Sequence, residues 1–458
     1  MNKVLLIFLF IFFFTLPLFA QSVDTAWVRR YNGPGNSDDE AYAIAADGSG
    51  NVYVTGRSRG SGTLYDYATI KHYPDGDTAW VRRYNGPVNS HDEAYAIAVD
   101  GSGNVYVTGL SVGSGTLYDY ATIKYYANGD TAWVRRYNGP GNDLDRAYAI
   151  AVDGSGNVYV TGESWSGTYY DYATIKYYPD GDTAWLRRYN GPGNYHDCAY
   201  AIAVDGSGNV YVTGLSEGSG TYDDYATIKY DPDGEAAWVR RYDGPGNHND
   251  WAHAIAVDGS GNVYVTGESW GGTYYTPNYA TIKYYPNGDT AWVRRYDGPG
   301  NGYDRAYGIA VDGSGNVYVT GYSDGSGTSI DYATIKYCPG GDAAWVRRYN
   351  GPGNDYDEAY AIAADGSGNV YVTGRSRGSG TYYDYATIKY FQYLCGDVNA
   401  DGVVDIGDVV YLINYLYKNG SPPVPLQAAD VNGDGIVDIG DVVYLINYLF
   451  KGGPPPGC

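Results

Sequence analysis

The sequence predicts a mainly β protein, a seven-bladed β-propeller with four-stranded blades, followed by a small all-α module. Two observations carry the first prediction. A unit marked by a tryptophan recurs at steps of 52 to 54 residues, and each unit contains four apolar-alternating runs of strand length. The seven tryptophans are Trp27, Trp80, Trp133, Trp185, Trp238, Trp292 and Trp345. A change of composition at Cys395, to a duplicated acidic segment, predicts the second domain.

The connections between the runs set the phase of the blade. In the second unit the runs are AYAIAVD, NVYVTG, DYATIKYY and TAWVRRY, and short Gly-containing turns join the first to the second and the third to the fourth. The longer link after WVRRY is therefore expected to cross to the next blade. The first WVRRY has no unit before it, and the last YATIKY has no WVRRY after it. We expect Thr25–Tyr31 to be the fourth strand of the seventh blade and to close the ring.

The repeat also resembles a known family. The AIAVDGSGNVYVTG hairpin, the YATIKY run and the tryptophan strand after it resemble the SBBP β-propeller repeat of bacterial secreted proteins, over Asp24 to Phe391. The resemblance implies the fold and leaves the activity open, because propellers host binding, scaffolding and catalysis alike.

The N-terminus is predicted to direct export. Lys3, an apolar run from Val4 to Phe19 and then Ala20 are typical of a secretory signal peptide, and an uncleaved anchor is the alternative. The expected domains are a signal peptide at 1–20, the propeller at 21–392 and the C-terminal module at 393–458. We expect a secreted protein with no membrane span after cleavage. The net charge of -22 argues against nucleic acid as a partner.

The C-terminal segment contains two copies of a calcium-loop pattern, 33 residues apart. Acidic and amide side chains fall at places one, three, five, nine and twelve, a Gly at place six allows the sharp turn, and a backbone carbonyl serves at place seven. A solvated acidic loop without metal is the alternative. The sequence predicts two calcium ions, held by Asp397, Asn399, Asp401, Val403, Asp405 and Asp408, and by Asp430, Asn432, Asp434, Ile436, Asp438 and Asp441.

A helix is predicted after each loop from Val409, Leu412, Ile413 and Leu416, and from their counterparts in the second copy. One helix per loop, the duplication and Asp at place twelve resemble a type I dockerin, over Leu394 to Cys458. The resemblance implies calcium-dependent binding of a cohesin on a scaffold or surface protein. By position, its recognition residues fall on Ile406, Gly407, Asn414, Lys418, Ile439, Gly440, Asn447 and Lys451.

Two features of this module leave questions open. Many dockerins carry a hydroxyl pair where this chain has Ile-Gly, so the cohesin type is not set, and ordinary surface and helix packing is the alternative role of these positions. Cys395 and Cys458 bracket the module, and we expect them to form a disulfide, while Cys198 and Cys338 are expected to stay unpaired.

The variable segments of the blades are predicted to share one face of the ring. They carry Glu163, Trp165, Trp251, Glu268 and Trp270, and aromatic rings beside carboxylates suit sugars. Binding of a glycan or a protein, a plain scaffold surface and catalysis by the carboxylates are all open. No His, Cys or Ser pattern of a known catalytic motif occurs, so an enzyme is not the favoured interpretation and no catalytic residue is assigned.

Together these features predict a secreted, non-catalytic binding or scaffold propeller. It would be anchored through its dockerin to a cohesin-bearing partner, in a polysaccharide-degrading or cell-surface assembly. The alternative is a glycan-active enzyme, a glycosyl hydrolase or lyase, built on the propeller.

Overall fold

The computed structural model describes residues 27–271, 276–365, 369–379, 383–390 and 395–457. Trp27–Phe391 forms one compact unit, and the C-terminal residues from Gln392 belong to another. The signal peptide prediction and Cys458 lie outside the described residues. No helix among those described is long and apolar enough to span a membrane.

The first unit is a seven-bladed propeller, as predicted. Its sheets are antiparallel meanders in sequence order, four strands in each of six blades and three described strands in the seventh. Blade by blade the strands are β1 Asp39–Ala46, β2 Val52–Arg59, β3 Tyr65–His72, β4 Thr78–Tyr84; β5 Asp92–Val99, β6 Val105–Val112, β7 Tyr118–Tyr125, β8 Thr131–Tyr137; β9 Asp145–Val152, β10 Val158–Trp165, β11 Tyr170–Tyr177, β12 Thr183–Tyr189; β13 Asp197–Val204, β14 Val210–Glu217, β15 Asp223–Tyr230, β16 Ala236–Tyr242; β17 Asp250–Val257, β18 Val263–Trp270, β19 Pro277–Tyr284, β20 Thr290–Tyr296; β21 Asp304–Val311, β22 Val317–Asp324, β23 Ile330–Tyr337, β24 Ala343–Tyr349; and β25 Asp357–Ala364, β26 Val370–Arg377, β27 Tyr383–Tyr390.

The turn between the first two strands of a blade is held by one aspartate. In the first blade Asp47 Oδ1 accepts from the amides of Ser49 and Asn51, and Oδ2 accepts from the Tyr53 hydroxyl at 2.9 Å. Gly50 has φ +81°, which favours glycine. The sequence DGSGN therefore forms a hairpin turn, as its spacing predicts.

Neighbouring blades pack through an aromatic core. Between the first and second blades the buried residues include Tyr53, Tyr67, Trp80, Val107 and Ile123. The Tyr67 hydroxyl crosses the junction to donate to the Ala121 carbonyl at 3.0 Å. Equivalent clusters lie at the next five junctions. The core is thus divided among the junctions, which is how a ring of repeats escapes the size limit of one core.

Each four-stranded blade also contains a polar network that runs across its sheet. In the second blade Arg136 on β8 donates to Ser111 Oγ on β6 at 2.5 Å, and to Asp119 Oδ2 on β7 at 2.8 Å. It also donates to the Tyr84 hydroxyl of the preceding blade at 3.0 Å. Asp92 on β5 pairs with Ser111 in the strand register. The network therefore fixes the register of a blade and links it to its neighbour.

The N-terminal segment contacts the first blade in the way that an outer strand contacts the next blade. Trp27 Nε1 donates to the Pro74 carbonyl at 3.0 Å, as Trp80 Nε1 donates to the Ala127 carbonyl at 3.2 Å. Residues 27–33 are not assigned to a strand, and Thr25 and Ala26 lie outside the described residues. Closure of the seventh blade by this segment therefore stays a prediction.

The inner strands carry a continuous aromatic belt. From the first blade to the seventh, one aromatic residue of each inner strand contacts that of the next, with tilted rings whose centroids are 5.1 to 6.0 Å apart. The belt residues are Tyr42, Tyr95, Tyr148, Tyr200, His253, Tyr307 and Tyr360. His253 is the one histidine of this belt.

The C-terminal unit contains two helices, α1 Ile406–Lys418 and α2 Ile439–Lys451, and a short 3-10 turn, Leu426–Ala429. Asp405 and Asp438 cap the two helices, and the carboxylate three residues later accepts a hydrogen bond from the amide of each cap residue. The buried core is Val398, Val409, Leu412, Ala429, Val431, Val442 and Leu445. The two predicted helices are present, and Val409 and Leu412 lie on their buried face.

Candidate calcium centre and partner-binding helices

The first acidic loop has the backbone of a calcium loop. Asp397 at place one accepts from the Asp401 amide at 3.0 Å and from the Gly402 amide at 2.9 Å. Gly402 has φ +90°, a conformation that a side chain would strain. Asp401 Oδ1 accepts from the Val403 amide at 3.0 Å. These bonds wind the segment so that oxygen-bearing side chains stand at alternate residues.

The second loop repeats this geometry closely. Asp430 accepts from the amides of Asp434 at 3.1 Å and Gly435 at 2.9 Å, and Gly435 has φ +85°. Asp434 Oδ1 accepts from the Ile436 amide at 2.9 Å. The sequence duplication is therefore a structural duplication as well.

The carboxylate at place twelve ties each loop to its helix. Asp408 is fully buried, and its oxygens accept from the amides of Val398 at 2.6 Å, Asn399 at 3.0 Å and Asp405 at 2.8 Å. Burial raises the pKa of Asp408, and the nearby charge of Asp397 raises it further. In the second loop burial raises the pKa of Asp441, again with a contribution from the first-place residue.

The first carboxylate of each loop therefore lies close enough to the buried twelfth carboxylate for their like charges to repel. None of the ion pairs in the described part of the chain involves a loop carboxylate. Hard oxygen donors with unneutralised negative charge fit a calcium ion, which would remove the repulsion. The residues that would hold it are the two sets predicted from the sequence.

The predicted recognition residues lie on the two helices with different exposure. Ile406 and Ile439, at the helix starts, are 51% and 50% exposed. Lys418 and Lys451 are exposed at the helix ends, whereas Gly407, Gly440, Asn414 and Asn447 are half-buried. All eight positions retain accessible surface, in two copies.

The sequence interpretation missed further exposed apolar residues on the same helices. Val410 and Tyr417 are 51% and 61% exposed, and their counterparts Val443 and Phe450 are 51% and 64% exposed. Residues 406, 410 and 417 share one helical face, since steps of four and seven return to nearly the same direction. We call Ile406, Val410 and Tyr417, with Ile439, Val443 and Phe450, the apolar stripes. The sequence does hold a signal for these stripes, because their apolar residues do not fall at the spacing of the buried helix face.

Glu163 and Glu268 are buried, whereas the sequence places them on an exposed face of the ring. Glu163 is 5% exposed and accepts from Arg146 at 2.6 Å, from the Tyr148 hydroxyl at 2.8 Å and from Cys198 Sγ at 2.9 Å. Glu268 is fully buried and paired with Arg305.

The reason for this correction is the length of the second strand. The sequence places Glu163 and Glu268 in variable segments, but β10 and β18 continue through Trp165 and Trp270. Both glutamates therefore lie within a strand, where their side chains are buried. Burial raises the pKa of Glu268 to about 7, against the lowering effect of Arg305. Both carboxylates are structural partners of arginine.

The three tryptophans of the variable segments are partly exposed but not gathered at one place. Trp165, in the third blade, packs on Tyr170 with ring centroids 5.1 Å apart. Trp251 and Trp270 belong to the fifth blade, where Trp251 Nε1 donates to Asp223 Oδ2 at 2.9 Å. Two of the five predicted ligand-binding residues are thus buried. The three tryptophans are the candidates that keep exposed surface.

The cysteines fall into two groups. Cys198 and Cys338 are free thiols. Cys395 is disulfide-bonded, and its predicted partner Cys458 lies outside the described residues.

Comparison with known proteins places these features in two families. The profile of the beta-propeller repeat SBBP matches seven times, at residues 26–62, 79–115, 132–169, 185–220, 238–274, 291–327 and 344–380. The profile of the dockerin type I domain matches residues 395–450. The chain belongs to the SBBP beta-propeller repeat family and carries a type I dockerin. Type I dockerins are calcium-binding modules that anchor proteins to cohesins.

Other comparisons find distant similarity only. No curated protein matches the chain. Among solved structures, Sqt1 from Chaetomium thermophilum is 11% identical with a TM-score of 0.49, over 76% of this chain and 83% of that one. The polysaccharide lyase Uly1 is 13% identical with a TM-score of 0.46, over 78% of this chain and 92% of that one.

Proposed function

We propose that this protein is a secreted, non-catalytic propeller that docks onto a cohesin-bearing scaffold or surface protein through two calcium ions. The single observation that carries the proposal is the duplicated loop-helix unit, with the same carboxylate geometry in both copies. The dockerin and the signal-peptide pattern of residues 1–20 support an extracellular place.

Calcium would control docking through the helix starts. Asp405 and Asp438 occupy place nine of the loops and also cap the helices, and Asp408 and Asp441 bind loop amides from the first helical turn. Without the ion these carboxylates would repel each other, and the helical turn that carries Ile406 or Ile439 would unwind. Metal binding and helix formation are therefore coupled.

The partner surface would include the apolar stripes. An exposed Val and an exposed aromatic residue on each helix would be buried against the cohesin, and aromatic residues are enriched at the centre of protein interfaces. With Ile-Gly in place of the usual hydroxyl pair, recognition would rest more on apolar contact than on hydrogen bonds. We infer an apolar complementary patch on the cohesin.

The propeller would present a binding or scaffold surface. The arginine pairing of Glu163 and Glu268 supports a structural role for the carboxylates that the glycosidase alternative needed. Trp165, Trp251 and Trp270 are the residues left to contact a glycan or a protein. The protein would be a component of a polysaccharide-degrading or cell-surface assembly.

The test is a binding measurement with the full chain against a panel of immobilised cohesin modules. We expect binding to at least one cohesin in millimolar calcium and none in excess chelator. The chain carrying Asp397→Ala and Asp430→Ala is the control and should not bind. Equal binding with and without chelator would contradict the proposal.

A further inference from the structure

Two exposed tyrosines lie at the end of the fourth blade where its linker and its loop meet. Tyr195 is in the linker before β13 and is 45% exposed, and Tyr222 is in the loop between β14 and β15 and is 58% exposed. The Glu217 amide, at the end of β14, donates to the His196 carbonyl of the linker at 3.3 Å. The two segments are therefore joined, and both tyrosines belong to one surface of one blade.

Each of these tyrosines is backed by a second aromatic ring. Tyr195 contacts Tyr169 of the third blade with ring centroids 4.8 Å apart. Tyr222 stacks on His248 with centroids 5.5 Å apart and an interplanar angle of 27°. From Tyr169 the row of contacting rings continues through three more, with neighbouring centroids 5.1 to 5.4 Å apart: His196, Tyr170 and Trp165. The exposed tyrosine rings are thus held in place, which lowers the entropy cost of stacking a ligand on them.

A pair of carboxylates lies beside these rings. Glu217 and Asp223 are direct partners in the pairing of β14 with β15, and both are half-buried. Like charges directly opposite each other destabilise a sheet. Burial raises the pKa of Asp223, and burial with the charge of Asp223 raises the pKa of Glu217. None of the ion pairs among the described residues includes either carboxylate.

The other six blades avoid such a pair. At the positions of Glu217 and Asp223 each of them has an aromatic or apolar residue on at least one strand: Arg59 and Tyr65; Val112 and Tyr118; Trp165 and Tyr170; Trp270 and Pro277; Asp324 and Ile330; and Arg377 and Tyr383. The fourth blade therefore carries a destabilising pair that the fold does not need. Proteins keep such local costs where a function requires them.

We propose that this end of the fourth blade binds an uncharged polysaccharide, an inference that rests on the proposed role of the propeller as a binding surface. The apolar CH faces of sugar rings would stack on Tyr195 and Tyr222, while sugar hydroxyls would donate to Glu217 and Asp223. Hydrogen bonds to a charged acceptor are strong, and they would satisfy the carboxylates without adding charge.

The same surface selects among glycans. Acidic glycans would be repelled by two carboxylates that have no ion pair. A small cation would use the carboxylates alone and would leave Tyr195 and Tyr222 without a role. Two separate stacking residues suit a chain of sugars better than a single one. The chemistry therefore favours an uncharged chain.

The test transfers residues of the first two blades onto this surface. Tyr195→Ser with Tyr222→Leu installs the residues that both blades carry there, and Glu217→Val with Asp223→Tyr installs the pair of the second blade, so both variants should fold. Isothermal titration calorimetry of the full chain uses glucomannan, xyloglucan and mixed-linkage glucan as uncharged ligands, with polygalacturonate, alginate and chitosan as charged ones. We expect at least one uncharged polysaccharide to bind the parent and to bind each variant at least tenfold more weakly. The control is Tyr126→Ser, at a 51% exposed tyrosine in the β7–β8 turn on the opposite face, and it should bind as the parent does.

Three results would each overturn the inference: no binding of any uncharged polysaccharide, tighter binding of a charged one, or unchanged affinity in either double variant. Cohesin binding of the same proteins in calcium should equal that of the parent, because the substituted residues lie in the propeller. A chain that binds a cohesin but no polysaccharide overturns this inference alone. A chain that binds a polysaccharide but no cohesin overturns the proposed docking alone.

Discussion

Arg83 donates a hydrogen bond of 3.1 Å to the hydroxyl of Tyr31, a residue 52 positions earlier in the chain. The same bond joins Arg136 to Tyr84, which lies on the outer strand of the blade before it. Tyr31 therefore occupies the place of an outer-strand tyrosine in a blade that precedes the first. In a ring, that blade is the seventh.

This relationship predicts a role for Arg30, the counterpart of Arg83 and Arg136. If residues 25–31 complete the seventh blade, Arg30 pairs with Ser376 and Asp384, as Arg136 pairs with Ser111 and Asp119 in the second blade. Arg30→Ala should then cost about 3 kcal/mol, as breaking a buried ion pair does. Arg29→Ala is the matched control and should cost under about 1 kcal/mol, since Arg29 pairs with exposed Asp77 at 3.5 Å.

Denaturant unfolding of both variants measures this difference. A deletion of residues 24–31 should also promote association through the exposed edge of β27, detectable by light scattering. Equal stability of the Arg29 and Arg30 variants, with a monomeric deletion variant, would remove the N-terminal segment from the seventh blade.

A second prediction concerns the calcium loops. Asp397→Ala with Asp430→Ala removes the first ligand of each loop, and with it two backbone hydrogen bonds per loop. The helical part of the circular dichroism signal should be lost in calcium, while the β signal of the propeller remains. Asp130→Ala, a change at an exposed propeller carboxylate, is the control. A helical signal that survives the double substitution and excess chelator would speak against metal-dependent folding.

A third prediction concerns the apolar stripes. Val410→Lys together with Val443→Lys should weaken cohesin binding at least tenfold, or about 1.4 kcal/mol, by placing charge on both exposed stripes. Calcium uptake and helical signal should not change, because both valines are 51% exposed. Gln427→Lys adds the same charge to an exposed residue off the helices and should have little effect. Surface plasmon resonance on an immobilised cohesin measures the affinity of the parent, the double variant and the control. Unchanged affinity in the double variant would exclude the stripes from the interface.

A fourth prediction follows from the histidine of the aromatic belt. Burial, with a smaller contribution from the charge of Arg305, lowers the pKa of His253 from 6.5 to about 4. The folded state therefore disfavours the protonated ring, so stability is complete above pH 6.5 and falls as the pH drops toward 4. The loss should be about 2 kcal/mol, allowing for partial exposure of the ring.

The control is His253→Tyr, which installs the residue of the other six belt positions. This variant should lose less stability than the parent between pH 6.5 and 4, as read from urea midpoints at both values. Parallel pH profiles for the two proteins would show that His253 does not contribute to the acid sensitivity.

The repeats made the propeller fold predictable from the sequence, whereas the partners of individual side chains could not be predicted. Blade phase followed from the contrast between short turns and longer links, and calcium-loop geometry followed from one-residue alternation around Gly402 and Gly435. The roles of Glu163 and Glu268 depended on where a strand ends, and Gly/Ser-rich sequence does not fix that point. Asp224, Asp243 and Asp250 come from two strands and a linker, and their carboxylates come close together only when two blades pack.

The near identity of the junctions has a consequence for how the ring assembles. Tyr67, Tyr120, Tyr172, Tyr225, Tyr279 and Tyr332 all donate to the same carbonyl position of the following blade. Interface chemistry therefore does not specify which blade docks on which. The short linkers supply that information, because they hold the correct neighbour at a high effective concentration. At high protein concentration a blade of a second chain competes with that tether, so domain-swapped chains are the characteristic folding error of this architecture.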